Sequence, residues 1–200
     1  GPAYTMAIQT DGKILVAGSC AGTVNQDFCV VRYLGNGQFD SAFGAAGKAI
    51  FTVGTSTDTA YAMLLQPDGK IVVAGGCAAG SQGYFCVARL LPNGSLDNSF
   101  NFSGRVLTPA GTGSSGARAV ALQPDGRLVL AGDCENGTFD VICIMRLLAN
   151  GDVDTSFSGD GQLVRSFGSG IDRASSIHVL PDARILVVGH CVTGGGTVDF

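Results

Sequence analysis

The chain is 200 residues long, with a net charge of −4, 46% hydrophobic residues and only 14% charged ones. Its 12 Lys and Arg are scattered among 16 Asp and Glu, which argues against nucleic acid, because phosphate recognition needs clustered basic groups. No apolar run approaches the ~18 residues of a membrane span, and 31 glycines without a three-residue period mean tight turns rather than collagen.

Cys20, Cys77, Cys134 and Cys191 recur every 57 residues, and Cys29, Cys86 and Cys143 follow the first three at a distance of nine. A period of this length marks a tandem array of one supersecondary unit. The repeats run 3–59, 60–116 and 117–173, with a partial copy at 174–200, so that 1–200 forms a single array.

Within each repeat the first predicted strand is Tyr4 to Gln9, with its copies Tyr61 to Gln66, Arg118 to Gln123 and Ser175 to Leu180. It ends in Asp-Gly (Asp11-Gly12, Asp68-Gly69, Asp125-Gly126), a hairpin signal because Gly supplies the positive φ such turns need. The fourth copy has Ala183 in place of Gly, which predicts a strained turn or one of another type. The second strand follows at Lys13 to Ala17, Lys70 to Ala74, Arg127 to Ala131 and Arg184 to Val188. It is apolar on both faces, the pattern of a strand buried on both sides. After a Gly/Ser-rich loop comes a third strand at Phe28 to Leu34, Phe85 to Leu91 and Ile142 to Leu148. An Asn-Gly turn and an Asp-x-x-Phe corner (Asp40 to Phe43, Asp97 to Phe100, Asp154 to Phe157) then lead to a fourth strand at Lys48 to Val53, Arg105 to Pro109 and Gln162 to Phe167. No stretch has helical spacing.

Four antiparallel strands whose central members are apolar on both faces describe a sheet packed between like sheets. The predicted fold is all-β, a β-propeller-type array of four-stranded blades in about three and a half 57-residue repeats. A flat sandwich would alternate more cleanly, and a solenoid would use shorter coils. Propellers close with 4–8 blades, so the sequence predicts either a fragment of a longer protein or a chain that needs others.

The segments Gln66-Pro-Asp-Gly-Lys-Ile-Val-Val-Ala-Gly75, Phe85-Cys-Val-Ala-Arg89 and Asn93-Gly-Ser-Leu-Asp-Asn-Ser-Phe100 resemble the bacterial delta-60 repeat, and the likeness covers essentially the whole chain. The resemblance implies a propeller-type array in a secreted or surface protein, with no inherited catalytic residues. The paired cysteines are a departure from the plain pattern.

Cysteines nine apart are not spaced as Cys-x-x-Cys and have no His beside each pair, so a metal or redox site is disfavoured. Lying at the end of one strand and the start of the next, they are expected to face each other across a hairpin as disulfides Cys20–Cys29, Cys77–Cys86 and Cys134–Cys143, each worth ~2–3 kcal/mol. Such cross-links belong to an oxidising compartment: extracellular, periplasmic or cell-surface. Cys191 is then a free thiol or one paired outside this segment. Arg32, Arg89 and Arg146 recur inside the third strand. They could line a channel for an anion, but a buried guanidinium needs a carboxylate, and Asp40, Asp97 and Asp154 stand eight residues on, which predicts structural ion pairs. Asp152, Asp154 and Asp160 form a weak calcium candidate, weakened because Asp152 and Asp160 are missing from the other copies. His178 and His190 have no catalytic partners, and the glycines of 193–197 lack the Lys of a phosphate loop.

The sequence therefore predicts a non-enzymatic secreted or cell-surface binding or adhesion scaffold without a cofactor. A protein or glycan would meet its rim loops (21–27, 78–84, 135–140, 192–198). The alternative is a structural subunit joining further copies of itself through open edges into a filament or surface layer. An extracellular hydrolase is the remaining option, though no convergent titratable groups support it.

Overall fold

The computed structural model describes residues 1–192 and 198–199. The glycine-rich run 193–197, and with it most of the fourth rim loop, lies outside the described residues. The first sheet comprises β1 (Ala3–Ile8), β2 (Ile14–Ala21), β3 (Gln26–Tyr33) and β4 (Lys48–Phe51). The second comprises β5 (Asp58–Leu65), β6 (Ile71–Ala79), β7 (Gln82–Leu90) and β8 (Arg105–Thr108). The third comprises β9 (Ser115–Leu122), β10 (Leu128–Glu135), β11 (Asp140–Leu147) and β12 (Gln162–Arg165). A fourth sheet holds β13 (Arg173–Val179), β14 (Ile185–Val192) and β15 (Val198–Asp199). Every sheet is antiparallel, with strands paired in chain order, and no helix occurs among the described residues. The chain is a row of propeller blades.

Two devices shape each blade. The first is the turn between its opening strands. Gly12 N–H donates to Gln9 O, Gln9 N–H donates to Lys13 O, and Gly12 has φ +80°. This is a three-residue loop whose glycine is left-handed, not a two-residue turn. The Asn-Gly turns use the same pattern, with Gly37 N–H donating to Leu34 O and Leu34 N–H to Gln38 O. Ala183 keeps the geometry its glycine counterparts have, with φ +65° and its N–H donating to Leu180 O. The fourth turn is therefore of the same type and strained.

The second device is a β-bulge in each opening strand. The register slips at Tyr4, Tyr61, Arg118 and Ser175, and Gly18, Gly75, Gly132 and Gly189 lie beside the slip. A Cβ on any of these glycines would run into a main-chain carbonyl of the neighbouring strand (Pro2, Thr59, Gly116 and Arg173 respectively). Glycine is required there by close backbone approach.

The second strands reach further than the sequence predicts, through Gly-x-Cys to Ala21, Ala79 and Glu135, because pairing with the third strand continues past the cysteines. The rim loops contract to 22–25, 80–81 and 136–139. The opening strands of the second and third blades start at Asp58 and Ser115, two residues ahead of the repeat boundaries drawn at 60 and 117. In the fourth blade Val198–Asp199 pairs with Cys191 and Val192, so a third strand has begun there.

Side-chain alternation gives each blade a near face, toward the blade before it, and a far face, toward the blade after it. Leu15, Ala17, Phe28 and Val30 on the far face of blade 1 pack on Ile71, Val73, Ala88 and Leu90 of blade 2. Val72, Ala74, Phe85 and Val87 of blade 2 pack in turn on Leu128, Leu130, Met145 and Leu147 of blade 3. Val129, Ala131 and Ile142 then meet Ala174 and Ile177 of blade 4. At ~25 cal/mol per Å² of apolar area removed from water, these interfaces are the main stabilising element.

The first two interfaces are also clasped. Arg32 Nε lies 2.9 Å from Asp40 Oδ2, its Nη1 donates to Pro92 O of the next blade (2.6 Å), and its guanidinium sits 4.6 Å from the Phe43 ring centre. Arg89 does the same with Asp97 (2.8 Å), Ala149 O (2.7 Å) and Phe100 (4.5 Å). Phe43 and Phe100 are fully buried, each against the Asn-Gly turn of the following blade. Arg146 lies 2.7 Å from Asp154 and 4.7 Å from Phe157, but Phe157 is only partly buried. Arg32 and Arg89 thus reach across a blade interface, whereas the partners of Arg146 all lie within blade 3.

Candidate functional site

A bulge residue is surplus to the ladder, so its side chain is free to be aimed elsewhere. Opening strands of successive blades adjoin one another, and their bulge residues form a row. The Tyr4 and Tyr61 rings meet edge to face at 5.1 Å, and the Arg118 guanidinium lies 4.2 Å from the centre of the Tyr61 ring. Asp133, from the variable middle position of Gly-x-Cys, accepts from Arg118 Nε at 2.7 Å. Ser19, Gly76 and His190 hold that middle position in the other blades. Burial works against the Arg118 charge, yet Asp133 and the Tyr61 phenol hold its pKa above the ordinary arginine value.

A trough follows this row. A hollow of about 450 Å³ between blades 2 and 3 is bounded by Tyr61, Arg118, Asp133 and Glu135 and by the hydroxyls of Thr59 and Ser115. It shares Arg118 and Asp133 with a second hollow of about 320 Å³ that reaches Arg173, Ser175 and His190. Glu135 and Asp140 connect it to a third, of about 260 Å³, under the disulfide hairpin of blade 3, where the half-exposed Phe139 and Ile171 form an apolar lip. Arg173 Nη2 lies 2.9 Å from Asp140 Oδ2 and joins blade 4 to that hairpin. The first hollow alone is of small-ligand size.

The disulfides pin the hairpins above the trough. Cys20–Cys29, Cys77–Cys86 and Cys134–Cys143 are bonded, with Cα–Cα distances of 5.4, 5.8 and 5.8 Å. The cysteines are diagonal neighbours rather than directly opposed: Cys29 pairs with Gly18, and Cys20 with Asp27. Each bridge lies on the near face of its blade, and Cys77, Cys86, Cys134 and Cys143 are buried in blade interfaces. Cys191 lies on β14, opposite Asp199.

The calcium candidates are directed to separate partners. Asp154 accepts from Arg146 Nε (2.7 Å) and Ser156 Oγ (2.6 Å), and Arg127 Nε completes an ion pair with it at 3.0 Å. The bonds from Ser156 and then Arg146 hold its carboxyl below the usual range against the opposing effect of burial. Asp152 accepts from Asn150 Nδ2, and Asp160 from Gln162 N–H. Two cations on Asp154 leave it poorly disposed to a third. His178 is exposed on β13, 3.5 Å from Ser176 Oγ, while His190 borders the second hollow.

Sequence reasoning passed over the bulge row and a buried carboxylate. Asp58 is fully buried and accepts from the N–H groups of Val53 (2.7 Å) and Gly54 (3.0 Å), fixing the link between blades 1 and 2. Burial raises its pKa, those two N–H groups pull it back, and Asp27 adds to the rise. Asp172 holds Phe167 N–H in the same way at the link to blade 4. The row's signal was present: Tyr, Tyr, Arg and Ser stand after the constant Ala3, Ala60, Ala117 and Ala174.

Repeating blades carrying a trough at the disulfide end define a propeller-type repeat protein. Residues 9–43, 66–100 and 123–157 each match the family described as a domain of unknown function (DUF5122) beta-propeller, together more than half of the chain. The chain belongs to that family. No curated protein matches it. Among the described residues no helix is long and apolar enough to cross a membrane.

Proposed function

We propose that the protein is a non-enzymatic binding scaffold of the delta-60 type, secreted or held at the cell surface, whose bulge-row trough takes a saccharide. The observation that carries this is the row itself: a constant backbone device delivers Tyr61, Arg118 and Ser175 from three successive blades into one trough. A sugar has an apolar face and hydroxyls that both donate and accept. The trough offers the matching set, with an aromatic ring at Tyr61, carboxylate acceptors at Glu135 and Asp140, a hydroxyl at Thr59 that donates or accepts, and the Ser115 hydroxyl, which donates to Gly83 O and is left to accept. The Arg118–Asp133 pair supplies planar donors and acceptors held in place by bonds of their own. Rims on a rigid scaffold are common sites of recognition, and three disulfides favour an oxidising location.

The test is a glycan array probed with the labelled wild-type chain and with Arg118→Ala. Saccharide signals that fall at least tenfold in the variant are expected. Silence of the wild type across the array, or signals indifferent to Arg118, would refute the reading.

A further inference from the structure

Asparagine followed by glycine occurs four times, at Asn36, Asn93, Asn136 and Asn150. The pair is chemically labile, because glycine has no Cβ to shield its own nitrogen from the preceding side-chain amide. Three of the four belong to the repeat, and there the glycine N–H is engaged: Gly37 donates to Leu34 O, Gly94 to Leu91 O and Gly151 to Leu148 O, each at 2.9 Å. Gly94 and Gly151 are also buried, against the Phe43 and Phe100 rings of the blade before. Asn136-Gly137 differs. It lies at the tip of the blade 3 rim hairpin, and among the described residues nothing accepts a hydrogen bond from Gly137 N–H. Gly137 is exposed with φ +93°, and a Cβ there would meet only Thr112 Oγ1, at 3.8 Å.

We propose that Asn136 is a site of spontaneous covalent modification, closing to a succinimide on Gly137 N and reopening to aspartate or isoaspartate. Gly137 N gives its proton to hydroxide and bonds to Asn136 Cγ. The Cγ–Nδ2 bond then breaks, and the amide nitrogen leaves as ammonia with a proton from water, which regenerates hydroxide. Water adds to one of the two ring carbonyls, the bond from that carbon to Gly137 N breaks, and the nitrogen regains a proton. Asn136 Oδ1 accepts from the N–H groups of Thr138 and Phe139, both at 3.0 Å, donors that stabilise the oxygen as it gains charge in the attack. Asn36, Asn93 and Asn150 have a donor of this kind too, from the N–H two residues on. The nucleophile is what singles out Asn136, because at the other three the attacking nitrogen must first give up a hydrogen bond. The product adds a carboxylate between Glu135 and Gly137, both on the border of the third hollow. As isoaspartate it also lengthens the main chain at the tip that carries Phe139. The reaction is independent of saccharide binding.

The experiment holds the full chain in mildly alkaline buffer, samples it over time, and reads aspartate and isoaspartate at each of the four sites by peptide mass spectrometry. Asn136 is expected to convert about tenfold faster than Asn36, Asn93 or Asn150, the rate equivalent of one hydrogen bond that need not be broken. In the reduced chain under denaturant the four are expected to convert at similar rates, because the contacts that separate them are gone. Isoelectric focusing of Asn136→Gln is expected to lack the early acidic species of wild type, since a glutamine side chain closes its ring far more slowly. Asn36-Gly37 is exposed like Asn136-Gly137 but has its N–H bonded, which makes it the internal control. Conversion of Asn36 as fast as Asn136 would overturn the proposal. So would an unchanged Asn136, a lead for Asn136 that persists in the unfolded chain, or an early acidic species that survives in Asn136→Gln.

Discussion

Replacing Asp97 by Asn tests how the blades are clasped. Arg89 and Asp97 are both 7% exposed in their side chains, and the turn of the next blade covers the guanidinium, whose Nη1 is bound to Ala149 O. A neutral amide in place of the carboxylate would leave a buried cation without its counter-charge, a loss of about 3–5 kcal/mol. Asp154→Asn is the internal control. Its partners Arg146 and Arg127 are 19% and 37% exposed, so water can replace much of the carboxylate and the expected loss is about 1–2 kcal/mol. The ~2 kcal/mol gap corresponds to roughly 4–8 °C in melting temperature for a chain of this size. Guanidinium chloride unfolding of the two variants against wild type, at neutral pH, measures it. Equal losses would refute the claim that the following blade seals the ion pair.

Other consequences follow from single residues. Ala183→Gly relieves a left-handed alanine and should stabilise the chain by about 0.5–1 kcal/mol, seen as a higher unfolding midpoint; an unchanged or lower midpoint would contradict the strain. Gly75→Ala drives a Cβ into Thr59 O and should cost about 2 kcal/mol or more, whereas Gly76→Ala, with only ordinary contacts nearby, should cost less than about 1 kcal/mol; comparable losses would dismiss the bulge as the reason for the glycine. Asp58 has a raised carboxyl pKa, so the stability linked to its proton is complete below the ordinary value of 3.8 and is lost as pH rises through the folded pKa. Asp58→Asn should therefore gain on wild type between about pH 4 and pH 8 in denaturant titrations, and a gap that closes or reverses would contradict the burial.

Much of the architecture was legible because it is repeated. Four aligned copies expose strand positions that a single copy would leave ambiguous, and a second strand apolar on both faces, as in Ile71-Val-Val-Ala74, can only belong to a sheet covered on both sides. The ion pairs were readable from the cost of burying Arg32 and Arg89 without a carboxylate. Their contact with Pro92 O and Ala149 O was not, since it joins residues 60 apart and depends on how the blades are offset. Register was the least legible feature. A bulge has no composition of its own, and only its opposing glycine betrays it. Without the bulge, Tyr61 reads as one more alternating strand residue, and the trough it helps to build stays hidden. The rim loops were drawn too long for a related reason: Gly-x-Cys looks like loop sequence until third-strand pairing and the diagonal disulfide keep it extended.

Peptide mapping of the non-reduced protein is the most direct check on the account, since the blades, their interfaces and the trough all depend on each repeat closing its own hairpin. Linked peptides joining Cys20 to Cys29, Cys77 to Cys86 and Cys134 to Cys143 are predicted. A bridge that joins two different repeats, or alkylation of these six cysteines without prior reduction, would contradict it.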